Sequence, residues 1–166
     1  MREKTELLAK ENIEFQNIIN ELISNDVVLQ MKNFTQHYST TRFEHCYAAA
    51  FYCYSICKKL HLDYISATRG AMLHDLFLYD WRIKKDRKGL HAFTHGKLAC
   101  ENASNLFDLN NKEKDMIIKH MWPLTFKLPR YRESFILTFV DKYCASIELF
   151  KHLRKKFNKK KELRTV

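Results

Sequence analysis

Glycine and proline are scarce, at three and two among 166 residues. With so few turn-formers, a fold of many short strands is disfavoured against long helices, and an all-α domain is expected. No apolar run is long enough to span a bilayer; the longest, "CYAAAFYCY" continued through Ser55 to "IC", falls short of the roughly 20 residues required. No CxxC pair occurs, and the five cysteines, Cys46, Cys53, Cys57, Cys100 and Cys144, are odd in number. Three of them recur at helical spacing, so they are expected to act as small buried hydrophobes in a reducing compartment. The opening stretch "MREKTELLAKENIEF" is charged throughout and lacks the apolar core of a signal peptide, so a cytoplasmic protein without membrane attachment is expected.

Acidic residues are few beside basic ones, and the formal charge is +10. That excess is local. Residues 151–166 carry eight Lys/Arg against one Glu and residues 82–89 five against one Asp, which leaves the rest of the chain near neutral. Such runs read first as a solvated tail and a solvated loop; nucleic-acid contact through the tail is an alternative that the charge alone does not favour.

The length suits one well-cored domain. Residues 1–30 hold an N-terminal helix packed on it, residues 31–150 the core, and 151–166 a basic tail. Leu7, Leu8, Phe15, Ile18, Ile19, Leu22 and Ile23 share one face, predicting a helix over 3–24. Residues 43–60 are apolar on every side, the pattern of a centrally buried helix. Asp63 is placed to cap a helix over about 64–79, Thr94 one over about 95–107, and Asn110 with Glu113 a short helix ending at Trp122, before Pro123. From Tyr131 to about Phe157 the chain is helix-compatible, although "FILTFV", 135–140, also passes for a strand.

Against this apolar background a few polar residues stand out. There are eight histidines. His61 lies in a polar turn and His152 in the basic tail, whereas His45, His74, His95 and His120 fall on or at the ends of predicted helices beside core-type residues. Asp75 adjoins His74 inside "GAMLHDLFLYDW", and Asp141 interrupts "FILTFVDKYCASIELF". A buried carboxylate without compensation destabilises a fold, and a coordinated cation compensates it. One divalent ion between helices therefore accounts for His45, His74, Asp75 and Asp141 together. Imidazole and carboxylate donors without cysteine suit Fe, Mn, Co, Ni or Zn, as one ion or two.

The segments "TRFEHC" (41–46), "AMLHDL" (71–76), "IIKHMWP" (117–123) and "FVDKY" (139–143) together resemble the H…HD…D signature of the HD-domain metal-dependent phosphohydrolases, over roughly residues 40–150. The resemblance implies an all-helical bundle with a metal site between core helices, and so a helix at "FILTFV". It makes His45, His74, Asp75 and Asp141 the metal ligands, with Asp75 as the bridge if two ions bind. His95 in "HAFTHG" and His120 in "KHMWP" match the further histidines of two-metal members, with His91 the alternative to His95. Met121 follows His120 where the cyclic-dinucleotide phosphodiesterases carry a second histidine, and no GYP triplet occurs, which argues against that activity.

The implied chemistry is hydrolysis of a phosphomonoester or phosphodiester of a small molecule, a nucleotide first, by a metal-activated water at Asp75. Arg42, three residues before His45, is the expected phosphate ligand, while Lys142 beside Asp141 is expected to point elsewhere. Tyr79 and Trp81 are candidates for stacking on a base, with rim packing as the plainer reading. Two alternatives stand beside hydrolysis: a non-catalytic helical module that contacts metal or nucleic acid, and a di-iron oxygenase of the same fold.

Overall fold

The computed structural model describes residues 2–83 and 90–162, with side chains over 11–83 and 90–158. Most of the predicted basic loop, 84–89, and the last four residues of the tail lie outside the described residues. The architecture is all-α: α1 (Arg2–Ile23), α2 (Asp26–Leu29), a 3₁₀ turn (Gln30–Asn33), a small hairpin of β1 (Thr35–His37) and β2 (Thr40–Thr41), then α3 (Arg42–Lys59), α4 (Tyr64–Leu73), α5 (His91–Leu106), α6 (Asn111–Lys119) and α7 (Arg132–Glu162). "FILTFV" lies wholly within α7. No helix among the described residues is long and apolar enough to cross a membrane.

The central helix is α4, not α3 as expected. Every residue from Ser66 to Leu73 is buried except Arg69, and α4 touches α1, α3, α5, α6 and α7. In α3 only one face is buried, that of His45, Cys46, Ala49, Ala50, Cys53, Tyr54 and Cys57, while Phe51, Tyr52 and Ile56 meet solvent. The small residues Ala67, Gly70 and Ala71 give α4 a slim waist that lets neighbours surround it, whereas the aromatics of α3 stand too far out to be enclosed. All five cysteines are buried and free. Phe15, Ile19 and Leu22 seat α1 on the core.

Local signals set the helix ends. Thr41 and Glu44 form a capping box at α3, as Asn110 and Glu113 do at α6, and Asp63 accepts from the Ser66 backbone N–H at α4. Each cap satisfies backbone donors that have no helical partner. The helix predicted over 64–79 stops instead at Leu73. His74 turns its Nδ1 onto Ala71 O, the Phe77 N–H bonds Asp75 O, and Asn102 Nδ2 bonds Leu76 O, so the chain leaves the helix as His74 and Asp75 enter the core. The α5 helix begins at His91, four residues before the expected start, and Thr94 bonds Leu90 O rather than capping it.

Candidate metal centre

Five helices deliver the cluster. His45 comes from the first turns of α3, His74 from the C-cap of α4 with Asp75 one residue on, His95 from α5, His120 from the C-cap of α6, and Asp141 from α7. His45, His74, Asp75, His95 and His120 are at most 4 % exposed. His45 Nε2 lies 3.0 Å from Asp141 Oδ1, and His74 Nε2 lies 3.7 Å from the same oxygen and 3.6 Å from Asp75 Oδ2. The other oxygen of Asp75, Oδ1, is 3.3 Å from His95 Nε2 and 3.6 Å from His120 Nε2. Asp75 thus turns one oxygen to each half of the cluster.

The Nδ1 atoms fix the tautomers. His74, His95 and His120 donate Nδ1–H to the carbonyls of Ala71, His91 and Ile117 at 2.7, 2.8 and 2.8 Å. His45 Nδ1 lies 2.9 Å from Glu148 Oε1. A carbonyl or carboxylate only accepts, so each Nδ1 carries hydrogen and each neutral ring turns an Nε2 lone pair inward. His95 Nε2 and His120 Nε2 approach to 2.8 Å, a distance at which two lone pairs repel unless a proton or a cation lies between them. His74 Nε2 and Asp75 Oδ1 are buried without a hydrogen-bond partner among the described residues. Buried, orphaned and inward-facing donor atoms are what a divalent cation would satisfy, and the residues present fit one.

The electrostatics agree. Burial would lower the His45 pKa, but hydrogen bonds to Asp141 and Glu148 raise it to about 10. Burial together with the nearby rings of His95 and His74 depresses His120 to about 3. Burial alone would raise Asp75 and Asp141, yet the surrounding histidines hold both well below the usual carboxylate range. Four rings against two ionised carboxylates leave some rings charged and others forced neutral, a tension that replacing protons with a cation relieves.

Beside the cluster opens a cavity of about 280 Å³, reached by Asp75, His95, His120 and Asp141 and walled by Gln36, His37, Trp81, His91, Met121 and Lys142. Of the two histidines in "HAFTHG", His95 meets Asp75. His91 stands behind it, stacked on the His95 ring at 4.4 Å, with Nδ1 on the Tyr79 hydroxyl.

Arg42 does not take the expected place. It is fully buried away from the cavity, with Nε on Gln36 Oε1 at 2.9 Å, Nη1 on Phe77 O, Nη2 on Tyr79 O at 3.2 Å, and its plane 3.6 Å over the Phe77 ring. A guanidinium so held has three of its five N–H donors bonded within the fold and does not line the cavity. Its near alignment with His45 on the helix is real, but the strand of Gln36 and the 77–79 segment lie against that side. Lys142, expected to point away, lines the cavity instead, with Nζ on the carbonyls of His120 and Thr138.

Sequence reasoning missed Gln36, whose amide donates to Asp75 Oδ2, and Glu148. Gln36 sits in a hairpin with no sequence signal beyond its neighbours. Glu148 did carry one: it lies two helical turns beyond Asp141 and so on the same face.

A family model described as HD domain matches residues 42–146, from the first residue of α3 into α7. Comparison with curated proteins and with solved structures returns no match.

Proposed function

The chain belongs to the HD-domain family of metal-dependent phosphohydrolases, and from that premise we propose that it hydrolyses a phosphomonoester or phosphodiester bond of a small molecule, a mononucleotide first among them. The observation that carries the reading is the convergence of four Nε2 lone pairs on two buried carboxylates while every Nδ1 is committed elsewhere. The division of Asp75 between His74 on one side and His95 with His120 on the other favours a carboxylate bridging two ions. Nitrogen and oxygen donors without a thiolate suit Fe, Mn, Co, Ni or Zn. A cation held there by His45, His74, Asp75 and Asp141 would supply Lewis acidity toward water and toward phosphoryl oxygens.

The chain's own residues supply position and charge. Gln36 holds Asp75 by Oδ2, and Arg42 holds Gln36, so the carboxylate that would hold the cation is oriented without a guanidinium at the substrate. Lys142 brings an ammonium to the cavity wall on two neutral carbonyls, and a phosphoryl oxygen is the acceptor that would complete its shell. Trp81 and His91, stacked at 5.7 Å with their planes 13° apart, offer a flat wall to a base or another planar group. About 280 Å³ lies at the lower edge of ligand-pocket sizes, which favours a mononucleotide or smaller ester over a dinucleotide.

The test is phosphate release by the full chain loaded in turn with Mn, Co, Fe, Ni, Zn and Mg, across nucleoside monophosphates, simple phosphomonoesters and phosphodiesters. Release that a chelator abolishes, and that Asp75→Ala abolishes while keeping helical circular dichroism, is the expected result. No release with any metal, or full activity in Asp75→Ala, contradicts the proposal.

A further inference from the structure

We infer that Glu148 is the positioning residue for His45, holding the imidazole so that Nε2 faces the cluster; the inference rests on reading that cluster as a divalent-cation site. Three of the four rings are steered by a neutral backbone carbonyl of their own segment, three or four residues back. His45 alone has its Nδ1 on a carboxylate, brought by a different helix at 2.9 Å. A charged acceptor makes the stronger bond and leaves the opposite nitrogen the better donor to a metal.

The direction is set from both sides of the ring. Asp141 faces Nε2 at 3.0 Å and Glu148 faces Nδ1, and the two carboxylates stand two turns apart on α7. In the flipped form of the ring Cδ2 would face Glu148 and Cε1 would face Asp141 in place of the two nitrogens, and the bond from Nδ1 to Glu148 disfavours that form. Burial makes the arrangement costly. Glu148 is 8 % exposed, and its Oε2 has no hydrogen-bond partner among the described residues. A carboxylate held so dry with one oxygen unsatisfied is compensated by the His45 ring that it orients, with His37 as the nearest further imidazole. The family match ends at residue 146, two residues before Glu148, so nothing in that match assigns it a role.

Cobalt(II) titration of the full chain, read by visible absorption, tests this in wild type, Glu148→Gln and Glu148→Leu. Leucine removes the acceptor, and affinity is expected to fall about 10–100-fold; glutamine keeps an acceptor without charge, and a loss of about tenfold, at the low end of that range, is expected. Nitrogen-15 NMR of the zinc-loaded protein is expected to read His45 as protonated on Nδ1 in wild type and to lose that signature in Glu148→Leu, a change that mere support of the fold would not produce. If the leucine variant does not fold, Glu148→Gln decides by itself. Unchanged affinity in the folded variants overturns the inference and leaves the cation site standing. A wild-type chain that binds no cobalt overturns both.

Discussion

Replacing Gly96 with alanine is expected to push α5 away from α6 and so to reach His95 and His120 at once. A Cβ built at Gly96 would stand 3.0 Å from both Ile117 O and Ile118 O, backbone atoms that cannot swing aside as a side chain would. Ordinary contact begins near 3.4 Å, so the helices would have to part by about 0.4 Å. Ile117 O is also the acceptor that holds His120 Nδ1, and His95 is the residue next to Gly96. At an open helix position the same change stabilises by roughly 1 kcal/mol. Overpacking against fixed backbone costs about 1–3 kcal/mol. The net is a loss of roughly 1 kcal/mol, which for a domain of this size lowers the unfolding midpoint by about 2–4 °C. Thermal unfolding of the metal-free variant reads the packing effect, and metal analysis of the loaded variant, expected below wild type, reads the effect on the His95–His120 half. A raised midpoint with unchanged metal content would show that the α5–α6 contact at Gly96 is not limiting.

Arg42→Met is expected to cost stability, about 3 kcal/mol by chemical denaturation, because Gln36 Oε1, Phe77 O and Tyr79 O lose a buried charged donor. Lys142→Met is expected to leave stability within about 1 kcal/mol and to reduce kcat/KM by about 10–100-fold, the worth of one charge-assisted hydrogen bond; equal effects of the two variants on kcat/KM would count against the assignment of Lys142. The pH dependence of stability tests the α1 contact. Glu14 accepts from Lys58, Tyr54 and Tyr64, which lower its pKa from 4.5 to about 2. A depressed carboxyl stabilises above its unfolded pKa and loses that contribution as pH falls toward the folded value. The contribution is therefore complete above about pH 4.5 and disappears as pH falls to about 2. With over a third of the side chain exposed, screening limits it to at most about 1 kcal/mol. Glu14→Gln is expected to flatten the stability profile in that window, as followed by urea titration at stepped pH.

The helices were legible in the sequence because their signals are local: the caps at Asp63 and Asn110, the apolar stripe of α1, and the shortage of turn residues. The ambiguity at "FILTFV" yielded only to the family resemblance, since a buried apolar run has no period of its own to read. The polar residues His45, His74, Asp75, His95, His120 and Asp141 stood out by being costly to bury, and the fold gathers all six. Tertiary direction was not legible. Arg42 shares a helix face with His45 in sequence, yet its guanidinium is bonded to Gln36 of the β1 strand and to the carbonyls of Phe77 and Tyr79. Lys142 reaches the cavity because its long stem bends back along α7 to the Thr138 carbonyl, which helical spacing alone does not show. The end of α4 at Leu73 depended on a tertiary partner, Asn102, for the carbonyl of Leu76.

The central claim is that the four imidazoles and two carboxylates hold a divalent cation. Anomalous diffraction from crystals grown with manganese tests it most directly. A peak is expected bounded by His45, His74, Asp75 and Asp141, with a second on the Asp75, His95 and His120 side if two ions bind. No anomalous density in the cluster, with His45 Nε2 still bonded to Asp141 and His95 Nε2 still against His120, would contradict it.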